Sequence, residues 1–344
     1  MYQPLSNNTA SLKKINVELV KATLKGVEYA TKASIAQATG LSVATCGNIL
    51  KELLITGEVV EINHEESSGG RPARRFQYNK EYGFIGCMYI SIKDKTRCIH
   101  YKVTNLIGEE IEEDFLILDR VTYEAFDKFI EKLTTKYKNI LAIGIGVPGV
   151  VHNGIVGICD IPELIDVHLG EKLKEKYKIA VTIENDMNLT VYGLYKSQQY
   201  KKESSVVVMT FIEDSYPGAG IITDGHILKG NTKFAGEVSF LPFGLSREDQ
   251  LTYLFKKEQF IKIATKTVVS MIAIINPQLI ALTGELCKPT YIPEIYNACL
   301  QHIPKEHMPR ISHIENIHNE YMQGLISTTL ESLTYCSGLT RKQN

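Results

Sequence analysis

The chain is 344 residues long, 44% hydrophobic and 22% charged, with a net charge of −1 at neutral pH. That length suggests two or three domains with sizeable cores, and the near-zero balance excludes a molecule drawn as a whole to nucleic acid or membrane. No apolar run approaches the roughly 20 residues that span a bilayer, and Met1-Tyr2-Gln3-Pro4 lacks the charged start and apolar core of a secretion signal, so a cytoplasmic protein with no membrane partner is expected.

The charge is unevenly spread. Residues 1–80 carry ten Lys and Arg against seven Asp and Glu, a net +3, which leaves −4 for the remainder. A mildly basic head on a mildly acidic body suits a DNA-reading module carried by something larger. The seven cysteines, Cys46, Cys87, Cys98, Cys159, Cys287, Cys299 and Cys336, are odd in number and widely spaced, with no C-x-x-C. Reduced, mostly buried thiols are expected, rather than a disulfide framework or a Cys-rich zinc site.

In chain order, Leu12, Ile15, Leu19, Val20 and Leu24 recur at helical spacing. A second helix is expected over residues 32–38, with Ile35 and Ala36 inward and Gly40 as a left-handed stop. Ser42 caps a third, with Val43, Cys46, Leu50, Leu53 and Leu54 on its inner face and Gly57 at its end. Strands follow at 58–63 and 75–78 around a polar loop. From about Gly83 strands and helices alternate: strands at 84–92, 97–105, 140–147, 180–184, 205–211, 220–223 and 279–283, helices at 122–137, 188–196, 258–275 and 322–335. This is an α/β architecture with no evident internal repeat.

Two helices, a capped third and a two-stranded wing in this order read as a winged helix-turn-helix. The third helix leaves Ala44, Thr45, Asn48 and Lys51 on its outer face. In such a module that helix enters the major groove. Asn48 suits an adenine edge, Ala44 and the Thr45 methyl suit a thymine methyl, and Lys51 and the Ser42 hydroxyl suit phosphates. Gly47 costs about 1 kcal/mol of helix propensity, which points to close approach by DNA or by the neighbouring helix. The wing, Ser67-Ser68-Gly69-Gly70-Arg71-Pro72-Ala73-Arg74-Arg75, offers Arg71, Arg74 and Arg75 to a narrow minor groove or to phosphate. Taken singly, these features also fit an ordinary three-helix core and a solvated turn.

The stretch "ASIAQATGLSVATCGNILKELLITGEVVE…SSGGRPARRFQYN" resembles the winged helix-turn-helix of repressors in the ROK family (repressors, open reading frames and sugar kinases), and the likeness extends over nearly the whole chain. The resemblance implies a winged head at 1–80 and a two-lobed actin/hexokinase-like (ribonuclease H-like) domain. Its first lobe would cover 81–200 and its second 201–320, with a closing helix, 321–337, packed back on the first. "IGIGVPGVV" (143–151), "IENDMNL" (183–189), "FAGEV" (234–238) and "INPQLIALTGEL" (275–286) look like family landmarks. They assign Asn185, Asp186 and Glu237 to sugar hydroxyls, with Asp186 at the position of the family's catalytic base.

The chain departs from the family's phosphate cradles. The opening hairpin, "IGCMYISIKDKTRC", has no Asp-x-Gly-x-Thr; Asp214-Ser215-Tyr216 stands for Gly-Thr-Gly; Thr283-Gly284-Glu285 stands for Gly-Gly-Gly. A carboxylate repels phosphate and a ring blocks the approach of backbone N–H groups. Ser239 replaces the family's metal-binding His, and the following "LPFGLSREDQLTYLF" lacks cysteine, so neither metal nor cofactor is expected. Asn185 and Asp186 also suit capping of the helix near Asn188, and the two readings stay open. Glu184 is expected at a strand end without a ligand, and His152, His168 and His226 on the surface. The expected protein is a non-enzymatic regulator of carbohydrate genes. A homodimer or larger assembly would read a near-palindromic operator in double-stranded DNA, with a sugar or sugar phosphate as effector. A ligand-independent regulator and an active sugar kinase are the rivals.

Overall fold

Three helices and a small sheet form the head in the computed structural model, which describes residues 9–62, 73–93, 96–152, 154–159 and 161–336. Helix α1 (Thr9–Lys25) is followed by β1 (Ala30–Thr31), α2 (Lys32–Thr39), α3 (Val43–Thr56), β2 (Val59–Ile62) and β3 (Arg75–Tyr78). Thr31 and Ser34 close a capping box at the start of α2, and Gly40 ends it at φ 72°. Ser42 caps α3 by accepting from the Thr45 N–H, and Gly57 ends it at φ 81°. These turns are set by residue type, because capping oxygens satisfy the open N–H groups and glycine carries no Cβ penalty at positive φ. β1 and β2 flank β3 in one antiparallel sheet.

The first large sheet contains β4 (Phe84–Lys93), β5 (Thr96–Asn105), β6 (Glu110–Leu118), β7 (Ile140–Val147) and β10 (Ala180–Asn185). Helix α4 (Tyr123–Lys136), the hairpin β8 (Gly149–His152) and β9 (Ile155–Cys159), and α5 (Leu169–Tyr177) interrupt the series, and α6 (Asp186–Ser197) follows it. The second sheet contains β11 (Val206–Thr210), β12 (Gly218–Thr223), β13 (His226–Ile227), β14 (Leu279–Thr283) and β15 (Arg310–His313), with α7 (Arg247–Leu254), α8 (Lys257–Ile275) and α9 (Ile292–Cys299) between its strands. Helix α10 (His318–Cys336) is the last element among the described residues.

Both sheets have one topology. The orders are β6-β5-β4-β7-β10 and β13-β12-β11-β14-β15, each an antiparallel three-strand meander extended by two parallel strands. This repeat left no trace legible in the sequence, since backbone pairing fixes topology while any apolar residue of suitable size fills the faces.

Helices α6 and α10 lie between the sheets. α10 rests on β7, where Thr329 and Leu325 cover Gly144 and Tyr321 covers Gly146. α6 buries Met187, Val191 and Tyr195 against Val206, Val208 and Ile222 of the second sheet. The two helices meet where Gly193 faces the Glu320 carbonyl and Gly324 faces that of Leu189, too close for any Cβ. The head's core, including Val20, Leu24, Ile35, Leu50 and Phe76, runs into one apolar cluster with Ile85, Leu106, Met322, Leu325 and Ile326.

Strand β6 was not foreseen. It is a sheet edge whose nine residues include Glu110, Glu112, Glu113 and Asp114, a charge density typical of protected edges rather than of strand patterning. Lys102 pairs with Glu110 and Glu113, and Lys136 with Glu112. Cys46, Cys87, Cys287 and Cys299 are buried and unpaired. Burial pushes Cys87 and Cys287 up to about 12 and Cys299 to about 11, so these thiols stay protonated and unreactive. Among the described residues no helix is long and apolar enough to cross a membrane.

Candidate nucleic-acid interface and ligand cleft

Helix α3 turns Cys46, Gly47, Ile49, Leu50 and Leu53 into the head's core. Ser42, Ala44, Asn48 and Lys51 are exposed and Thr45 is half-buried, so five of the residues singled out from sequence share one outer face. Val43, expected inside, is 54% exposed; it lies in the first turn, beyond the reach of the core, and Ile49 takes the inner position. The Ser42 hydroxyl is engaged at the cap, bonded to the Thr45 N–H at 3.1 Å and to Thr45 Oγ1 at 2.8 Å. A Cβ on Gly47 would meet only the end of the Lys32 side chain, Cδ at 3.8 Å and Cε and Nζ at 3.9 Å. The neighbouring helix therefore does not exclude a side chain there. In the wing, Arg74 pairs with Glu61 at 3.2 Å and Arg75 lies over the Tyr29 ring at 4.4 Å; Arg71 lies outside the described residues.

A cleft of about 1340 Å³ opens between the two sheets. It lies at the carboxyl ends of their parallel strands, where open α/β sheets hold ligands. Asn185, Asp186 and Glu237 all line it. Asn185 is the N-cap of α6: its side-chain oxygen accepts from the Asn188 N–H at 3.0 Å, and its amide donates to the Gly149 carbonyl at 3.0 Å and to Asp186 Oδ1 at 2.9 Å. The N-cap is thus Asn185. Asp186 begins the helix, and its Oδ1 also accepts from the Met187 N–H at 2.8 Å.

Two further residues matter that sequence reasoning missed. Glu184, read from sequence as a bare strand end, is buried and lines the cleft. It accepts from the Asn188 amide and the Asn185 N–H, each at 3.0 Å, and forms an ion pair with Lys229 from the opposite lobe. Arg247 donates to Ser239 Oγ at 3.0 Å, and its guanidinium stacks on Tyr216 at 3.6 Å and on Phe240 at 4.1 Å. The Glu184–Lys229 and Arg247–Tyr216 contacts have no local sequence signal, because each joins residues brought together only by the fold.

Two of the three departures from the phosphate turns of the resembled family, at 214–216 and 283–285, also have a geometry. Asp214 holds φ 55°, a left-handed conformation suited to glycine and tolerated best among other residues by Asn and Asp. Tyr216 is locked under Arg247. Gly284 keeps φ 99° against the Phe211 carbonyl, and Glu285 beside it lines the cleft. Among the described residues no three His, Cys, Asp or Glu side chains converge as a metal site. At the first-lobe wall Tyr321 stacks on Tyr89, centroids 4.2 Å apart, and Tyr89 Oη lies 2.7 Å from His318 Nδ1. Burial first, and then the Asp186 carboxylate, hold the Tyr321 phenol well above its ordinary range and protonated.

A winged helical head joined to a twin-sheet domain with a ligand-sized cleft defines the class: a two-domain protein of actin/hexokinase-like fold. Residues 117–250 match the family model described as ROK family. The chain is 31% identical over 242 residues to the xylose repressor of Caldicellulosiruptor bescii, covering 67% of this chain and 59% of that protein. To the Escherichia coli DNA-binding transcriptional repressor Mlc it is 25% identical, over 68% of this chain and 60% of that one. The chain thus spans about three fifths of the length of these curated relatives.

Among solved structures, a ROK family transcriptional regulator described as a homologue of Escherichia coli Mlc superposes with a TM-score of 0.71 at 16% identity, over 94% of this chain and 98% of its own. A ROK hexokinase from Thermus thermophilus superposes with a TM-score of 0.60 at 16% identity, over 73% of this chain and 99% of its own. The difference in coverage of this chain is about the size of the head.

Proposed function

We propose that this protein is a sequence-specific DNA-binding regulator, a repressor of carbohydrate genes, whose cleft binds a sugar without phosphorylating it. One observation carries the reading: the winged head, with Ala44, Asn48 and Lys51 outward on α3, shares a continuous core with the cleft domain. The repressor relatives support it. A homodimer would set two copies of α3 about one DNA turn, ~34 Å, apart on a near-palindromic operator. Asp186 and Glu237 would hold sugar hydroxyls, with Asn185 fixing the loop through its cap. Sugar occupancy would favour one arrangement of the lobes and change the spacing of the heads. Couplings of this kind are about 1–3 kcal/mol, or ~5–150-fold in operator affinity.

The cleft does not favour phosphoryl transfer. Asp214, Tyr216 and Glu285 line its wall where phosphate would need open backbone N–H groups. The testing experiment selects fragments bound by the full chain from sheared genomic DNA at one fixed salt concentration. Operator fragments are then titrated with D-xylose, D-glucose and N-acetyl-D-glucosamine, with ATP consumption followed in parallel. Enriched sites sharing a two-fold motif, released by a sugar with no ATP turnover, are the expected result. Binding without sequence preference would sink the regulator reading, and sugar-dependent ATP consumption would restore the kinase.

A further inference from the structure

Arg247 is half-buried, lines the cleft and stands in the first turn of α7. Its guanidinium is held from three directions. The Tyr216 and Phe240 rings lie against it at 3.6 and 4.1 Å, and one N–H donates to Ser239 Oγ at 3.0 Å. Ser239 is 1% exposed, so this bond anchors the group to the interior. A guanidinium has five N–H donors in one plane and accepts no hydrogen bond. With two rings against it and one donor engaged, the remaining donors are fixed in direction before any ligand arrives. Among the described residues Arg247 forms no ion pair, whereas Lys229 is paired with Glu184. A rigid cation without a carboxylate partner, at the wall of a cleft, is a ready receptor for an anionic group.

The surrounding residues indicate which molecule carries that group. Ser239 and Phe240 belong to the turn Val238–Phe240, whose N-cap is Glu237. One turn thus presents the Glu237 carboxylate, suited to sugar hydroxyls, beside the two residues that orient Arg247. The residues lining the cleft include seven Asp and Glu against four Lys and Arg. In that field a group with one negative charge is tolerated better than a phosphate with nearly two. A carboxylate is also planar and takes two parallel N–H bonds from an arginine fork.

We infer that Arg247 binds the carboxylate of a sugar acid in the cleft, with the hydroxyls of that sugar on Glu237 and Asp186. The inference rests on the sugar-sensing reading above and deepens it by naming the class of sugar.

The test compares the full chain with Arg247→Met and Arg247→Lys. Methionine keeps an apolar stem between the rings, and lysine keeps the charge without the fork. Calorimetry measures affinity for D-glucuronate and D-galacturonate, for their neutral counterparts D-glucose and D-galactose, and for D-glucose 6-phosphate. Wild type is expected to bind one of the acids at least tenfold more tightly than its neutral counterpart, as for a charge-assisted pair. That ratio falls to about one in Arg247→Met and below the wild-type value in Arg247→Lys. In gel shifts the same acid releases operator fragments at lower concentration than the neutral sugar. Should Arg247→Met fail to fold, Arg247→Lys and the wild-type ratio decide. Neutral sugars bound as tightly as their acids, an acid preference at full strength in either variant, or tighter binding of the sugar phosphate each overturn the inference while the sensing reading stands. A wild-type protein that responds to none of these compounds, nor to D-xylose or N-acetyl-D-glucosamine, overturns both.

Discussion

Gly47 sits in the middle of α3 with nothing nearer than the Lys32 side chain to oppose a methyl group. A mid-helix glycine gives up about 0.5–1 kcal/mol relative to alanine, and the fold itself does not require it. Gly47 is buried on the inner side of α3, away from the face that carries Ala44, Asn48 and Lys51. Gly47→Ala is expected to raise stability by up to about 1 kcal/mol in urea denaturation while operator affinity stays at the wild-type value. A loss of stability would mean that the Lys32 side chain over this position cannot give way.

Glu112 provides a second residue-scale prediction. Hydrogen bonds from Lys136 first, then Tyr137 and Tyr101, hold its carboxyl at about 2, below the ordinary 4.5. A carboxyl depressed by folding stabilises the native state above its unfolded value, and that stability is lost as pH falls through the folded one. Glu112→Gln is therefore expected to flatten the acid limb of stability between about pH 4.5 and 2. Denaturant midpoints across that window check it.

At the scale of elements, the α6–α10 crossing is the tightest joint in the molecule. Gly193→Ala would place a methyl within the Glu320 carbonyl, and backbone cannot swing aside as a side chain can. A loss of at least about 1–3 kcal/mol, the usual range for overpacking, is expected in urea denaturation. Wild-type stability would mean that the helices separate freely. The same joint shows the limits of reading elements from sequence. The helices α2, α3, α4 and α8 were legible because caps, glycine stops and apolar spacing are local. The hairpin β8–β9, the edge strand β6 and helices α5, α7 and α9 were not, being short, charged or stabilised mainly by neighbours distant in sequence. Asn185, Asp186 and Glu237 could be picked out by motif, whereas Lys229, Arg247 and Tyr321 owe their places to tertiary contacts alone.

At the scale of the whole molecule, the Glu184–Lys229 pair joins the two sheets across the cleft. Glu184 is 7% exposed, whereas the Lys229 side chain is 37% exposed. Solvent around the lysine weakens the pair well below the 3–5 kcal/mol lost when one partner of a fully buried pair is removed. Lys229→Met is expected to cost about 1–2 kcal/mol in urea denaturation, and a neutral result would show that Glu184 is satisfied by Asn185 and Asn188 alone.

The lobes and the head meet in the proposed control of DNA binding, and the decisive variants there are Asp186→Ala and Glu237→Ala. Both side chains line the cleft, and neither belongs to the core shared by the head and α10. Replacing them removes polar groups suited to sugar hydroxyls without touching α3 or its supports. Operator affinity in the absence of sugar is expected to stay at the wild-type value, while release by sugar disappears in both variants. Gel-shift titration over a range of sugar concentrations reads both quantities from one experiment. Loss of DNA binding in the absence of sugar would mean that the cleft side chains hold the head in place rather than sense a ligand. Wild-type release in both variants would mean that the sugar is sensed without either carboxylate, which would overturn the roles given to Asp186 and Glu237.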